Sequence, residues 1–151
     1  MFAAQNKSLM KKTILALSML VVLASCKKDK DEPAAITPTV ANLTGNYKIT
    51  ASTMTGGGST VDIFNNDMFY EPCMRDDIYR LNANMSYAIT DAGTVCNPPG
   101  DYSGGTWALT STSTIDMDGE EFTIKSWNGT TLVVEAGDPS SVMFSATYVK
   151  Q

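Results

Sequence analysis

GTWALTSTSTIDMDGEEFTIKSWNGTTLVVEAGDPSSVMFSATYVK, residues 105–150, decides the fold. Its apolar side chains recur every second residue, the period of a half-buried strand rather than of a helix. Trp107 and Leu109 share one face of Thr106–Thr110, and Ile115 and Met117 share one face of Thr114–Met117. Asp118-Gly119 then supplies the positive-φ pair that a tight hairpin needs. Phe122 and Ile124 point inward from 120–127, Asn128-Gly129 marks another hairpin, and Leu132 and Val134 alternate beyond it. Gly137-Asp138-Pro139-Ser140 is a turn, and Val142–Lys150 closes with Phe144, Ala146 and Tyr148 on one face. The pattern is an up-and-down antiparallel meander.

Upstream the alternation is shorter. Leu43–Thr53 is predicted to be a strand carrying Tyr47, Ile49 and Ala51 on one face, followed by a flexible TGGGST loop at 55–60. Ile78–Leu81 and Met85–Thr90 form a hairpin around 82–84, with Tyr79, Leu81, Tyr87 and Ile89 apolar. Asp62–Tyr70 reads equally as a short helix or an irregular crossing. Cys96–Gly105 is a loop, because adjacent prolines and glycines interrupt regular structure. About eight antiparallel strands result, and a sheet of that size must close or fold over to hide its edges. The expectation is an all-β domain over 42–151, a small antiparallel up-and-down β-barrel.

Among the 151 residues there is no histidine. That removes the commonest general base and the commonest transition-metal ligand. No nucleophile elbow, Ser-x-x-Lys motif or phosphate loop is present either. The chain reads as a non-enzyme with no cofactor and no metal.

The first 26 residues run from basic (Lys7, Lys11, Lys12) through the apolar stretch Ile14–Leu23 to Leu23-Ala24-Ser25-Cys26. The apolar stretch is too short for a permanent span, which needs about 20 residues. The tetrapeptide resembles the lipobox of bacterial lipoproteins. The resemblance implies that residues 1–25 are a cleaved signal peptide and that Cys26 carries the lipid holding the chain on a membrane. Residues 26–41, charged and then rich in proline and small side chains, read as a tether. Without Asp after Cys26, and with a Lys/Asp/Glu cluster following, the segment resembles outer-membrane lipoproteins, facing the periplasm or the cell surface. Cleavage would remove three lysines and no acid, leaving 8 basic against 16 acidic side chains, a net charge of −8. That sign repels phosphate backbones, so nucleic acid is not an expected partner.

Leu43-x-Gly45-x-Tyr47, Cys73-x-x-Asp76-Asp77, a cysteine before Gly-x-Trp107-x-Leu109, the Asn128-Gly129 hairpin and a closing Phe144-x-x-x-Tyr148 occur in that order. Together they resemble the lipocalin-like domains of Bacteroidetes lipoproteins, over nearly the whole mature domain. The resemblance implies a lipocalin-like barrel and an envelope address more than an activity.

Cys73 and Cys96 remain once Cys26 is lipidated. In an oxidising compartment an even pair reads as a disulfide. A reactive or metal-binding pair is the other reading, disfavoured by the absent histidine and the wide spacing. Asp116–Glu121 contains fragments of a calcium loop, but the strand that follows leaves the loop incomplete, and a charged hairpin accounts for it. Asp76-Asp77, between Arg75 and Arg80, reads as a solvated strand end rather than a paired-carboxylate site. Tyr47, Tyr79, Tyr87, Trp107, Phe122, Phe144 and Tyr148 either fill the barrel or line a cavity for a small hydrophobic ligand, since eight strands leave room for one or the other. Two partner expectations follow: a small apolar ligand inside, or an envelope protein against which an anchored module docks.

Overall fold

The computed structural model describes residues 35–151; the signal segment 1–25, Cys26 and the tether through residue 34 lie outside the described residues. Nine strands form one antiparallel sheet: β1 (Gly45–Gly56), β2 (Ser59–Asp62), β3 (Ile78–Leu81), β4 (Ser86–Thr90), β5 (Tyr102–Ser111), β6 (Thr114–Met117), β7 (Glu120–Trp127), β8 (Thr131–Gly137) and β9 (Val142–Lys150). The lateral order is β2-β1-β3-β4-β5-β6-β7-β8-β9, and β9 pairs back onto β1 from Tyr47↔Lys150 to Gly56↔Val142. Eight strands therefore close a barrel, and β2 adds a ninth beside the far half of β1. The expected all-β barrel is the fold observed.

Strand polarity sorts the connections. The β1–β2, β6–β7 and β8–β9 turns gather at one end with the two long loops 63–77 and 91–101. The short helix α1 (Val40–Leu43) lies at the other. Thr39 caps α1 through its hydroxyl, which accepts from Asn42 N–H at 3.2 Å. Leu43 is fully buried, and its carbonyl accepts from the Tyr47 hydroxyl at 2.6 Å. Ile36 N–H donates to the Trp127 carbonyl, and Lys150 Nζ donates to the Asn42 carbonyl while lying 5.8 Å from the Tyr47 and Trp127 ring centroids. Residues 36–41, read from composition as tether, thus run along the barrel base, largely exposed, and lead into the buried Leu43.

Where the sequence pattern and the structure part, an extra residue in one strand is the cause. A bulge skips Thr50, so Ile49 pairs with Tyr148 but Ala51 pairs with Thr147. The inward face passes from Ile49 to Ser52, which is buried, and Ala51 is exposed rather than inward. A second bulge at Lys125 lets Trp127 follow Ile124 into the core, although simple alternation places it outside. Such insertions increase twist and bend a strand, which closure of a small barrel requires. The TGGGST segment is a hairpin rather than a flexible loop: Gly56 pairs with Ser59, and Gly57 and Gly58 hold the positive φ of its turn. The loop expected over 96–105 ends at Tyr102, where β5 begins, and Gly104 (φ +102) is the residue skipped between Ser103 and Gly105. Asp62–Tyr70 is irregular beyond the end of β2.

Candidate functional site

Inside the barrel, Tyr47 on β1, Tyr79 and Leu81 on β3, Tyr87 on β4, Ile115 and Met117 on β6, Leu132 and Val134 on β8 and Tyr148 on β9 enclose one cavity. No charged side chain lines it. The void open to the centre of a water molecule is only about 10 Å³, room for about one water. Of the two readings of the inward aromatics, filling describes this state of the barrel.

Four of the seven aromatics expected at a ligand site, Tyr47, Tyr79, Tyr87 and Tyr148, do line the cavity. Trp107 is buried in the core, with its indole N–H donating to the Asn82 carbonyl at 2.9 Å. Phe122 is half-buried against the same cluster. Phe144 is 44% exposed, because its register places it beyond the closed part of the barrel. There it pairs with Met54 on one side and Ala136 on the other, and Met54 pairs in turn with Val61. Directly paired residues share a sheet face, so Val61, Met54, Phe144 and Ala136 form one apolar row above the rim.

Tyr79 and Tyr148 meet edge to face, centroids 5.5 Å apart. The hydroxyls of Tyr79, Tyr87 and Tyr148 have no hydrogen-bond partner among the described residues, whereas that of Tyr47 is used on Leu43. Burial is the main cause that raises all four phenols, Tyr47 to about 12 and the other three further. Like-charge contributions are smaller: Tyr70, Tyr87 and Asp77 at Tyr79; Asp118, Tyr102 and Tyr70 at Tyr87; and Tyr79, Tyr87 and Tyr70 at Tyr148. Tyr70 escaped the sequence reading because it sits in an irregular segment with no period to assign its direction.

A folded state that raises a phenol favours its protonated form. That contribution is complete below the ordinary value of 10.0 and is lost as pH rises through and past it. Cooperative alkaline unfolding is therefore expected above pH 10, with tyrosinate absorbance appearing together with loss of tertiary circular dichroism. Tyrosinates titrating normally in a protein that stays folded would contradict the burial.

Cys73 and Cys96 are joined, with Cα atoms 5.2 Å apart. The bond ties the 3-10 helix Pro72–Asp76 in the first long loop to the second. Asp76-Asp77, expected as a solvated strand end, is not one. Asp77 is only 4% exposed, because the crosslinked loops close over it. Asp116–Glu121 is the charged hairpin expected, with φ of 57° at Asp118 and 87° at Gly119.

No protein-family model, curated protein or solved structure matches this chain.

Proposed function

We propose that this chain is a lipid-anchored, non-catalytic outer-membrane protein whose lipocalin-like barrel receives a small hydrophobic ligand at its tyrosine-lined end. One observation carries the ligand reading. The cavity wall is uncharged and apolar throughout, built from tyrosine rings and aliphatic side chains contributed by six strands. Such apolar, aromatic walls suit an apolar guest. Because the void is so small, such a guest enters by displacing side chains at the mouth rather than by filling a ready space.

Native mass spectrometry of protein purified from its own envelope tests both halves. A diacylglyceryl mass on Cys26 and a co-purified apolar guest, displaced by an environment-sensitive dye, are the expected results. Tyr87→Ala and Tyr148→Ala should each weaken dye binding by about tenfold or more, the loss of roughly 1.4 kcal/mol of contact. A chain beginning at Met1 without acyl mass would overturn the anchor, and an empty barrel that takes up no dye would overturn the ligand.

A second reading, docking on another envelope protein, draws on the row Val61–Met54–Phe144–Ala136 above the same rim. Val61 and Phe144 are each more than two-fifths exposed. Crosslinking from position 144 in intact cells would trap one discrete partner under that reading and none under the first.

A further inference from the structure

Four carboxylates lie in or beside the two long loops that the disulfide joins. Asp76 ends the 3-10 helix, Asp77 follows it, and Asp91 and Asp101 bracket the second loop. Backbone amides of that loop satisfy several of their oxygens. Asp91 accepts from Cys96 N–H at 3.0 Å and Gly100 N–H at 2.6 Å, Asp76 Oδ2 accepts from Thr94 N–H at 2.9 Å, and Asp101 Oδ1 accepts from Asp91 N–H at 2.9 Å. Asp77 accepts from Ala92 N–H. Two oxygens are left over. Asp76 Oδ1 and Asp77 Oδ1 are both buried and both lack a partner.

Unpartnered buried carboxylate oxygens are costly, and a native structure rarely tolerates them without an ion, a water or a proton. No cation of the described residues offsets this charge. The ion pairs there are Arg75–Asp67 and Lys125–Glu135, and the remaining Arg75 donors go to the Phe64 and Tyr70 carbonyls. Burial is the main cause that pushes the Asp77 carboxyl upward, and the charged groups acting on it, Asp91, Asp76 and Asp101, are all of its own sign and add to the rise.

We propose that Asp76 Oδ1 and Asp77 Oδ1 bind a divalent cation, calcium by preference, that locks the two loops at the ligand end of the barrel. Calcium accepts carboxylate, backbone carbonyl and water oxygens in flexible geometry and in numbers of six to eight. The two aspartates supply the charged ligands, loop carbonyls and water complete the shell, and Asp91 and Asp101 add negative charge around it. A tighter all-carboxylate cage is not present. The one group of three metal-ligating side chains among the described residues with donor atoms within 4.8 Å of each other is Glu71, Cys73 and Cys96, and its sulfurs are spent on the disulfide.

The test is thermal unfolding of the purified full chain, stripped with chelator and then titrated with calcium chloride or magnesium chloride. Saturating calcium should raise Tm by about 5–10 °C, and magnesium by less. Asp77→Asn and Asp76→Asn should each abolish the rise, while Asp138→Asn, at an exposed turn, should keep it. Asp76→Asn secures the result should Asp77→Asn fail to fold. A wild-type Tm unmoved by millimolar calcium would overturn the site and assign the leftover oxygens to a bound proton. A rise that persists in both variants would place the ion elsewhere and overturn the assignment equally.

Discussion

Trp107→Ala is expected to cost about 3–5 kcal/mol, a large share of the stability of a domain of this size. The side chain is 1% exposed. It belongs to a cluster with Leu43, Tyr47, Leu81, Tyr87, Ile115 and Leu132 contributed from around the barrel. Strands in a closed sheet cannot slide together to fill a hole, because each is held on both sides by ladder hydrogen bonds. The truncation also removes the 2.9 Å indole bond to the part-buried Asn82 carbonyl, which keeps Met85 N–H as its other donor, so this loss adds about 0.5–1.5 kcal/mol. Trp107→Phe should recover much of the packing but not that hydrogen bond. Urea denaturation followed by circular dichroism measures both variants. A loss below about 1 kcal/mol for alanine would show that the indole does not hold the core.

The double variant Cys73→Ser/Cys96→Ser is expected to lose about 3 kcal/mol, the chain-entropy estimate for releasing a loop of this length. The bridged residues are 23 apart, and the segment they enclose contains the whole β3–β4 hairpin. The loss should fall on the two long loops first, since the barrel ladders run through β1–β9 and need no crosslink to pair. Hydrogen exchange should therefore accelerate over 63–77 and 91–101 at concentrations of denaturant where β6–β9 stay protected. Reduction of the wild-type chain should reproduce both results. Unchanged stability in the double variant, or uniform acceleration over every strand, would contradict this division of the molecule.

The meander from Trp107 to Tyr148 was legible because its information is local. Alternation, Asp118-Gly119 and Asn128-Gly129 all operate within a few residues, and the strands they delimit agree with those observed. Four of seven aromatics expected at the interior line its cavity for the same reason. Phe144 keeps the expected face but lies beyond the rim, since alternation specifies which side a residue takes and not how far along the barrel axis it stands. Ala51, expected inward, is exposed, and Trp127, to which the alternation of Phe122 and Ile124 gave no inward place, is buried. Each follows a bulge, and a bulge is called for by the curvature of the closed sheet. No property of Lys125 or Thr50 announces it.

Residue order alone settled the strand type, the hairpins and the absence of histidine from the 151 residues, because these depend on neighbours or on counts. Tertiary structure decided what depends on closure. The β1–β9 seam, joining residues almost a hundred positions apart, sets the barrel's width, and width determines that the tyrosines leave space for about one water rather than for a ligand at rest. The burial of Asp77 belongs to the same class: its exposure is governed by two loops brought together across the barrel mouth, and a carboxylate's sequence neighbours hold no record of what will be folded over it.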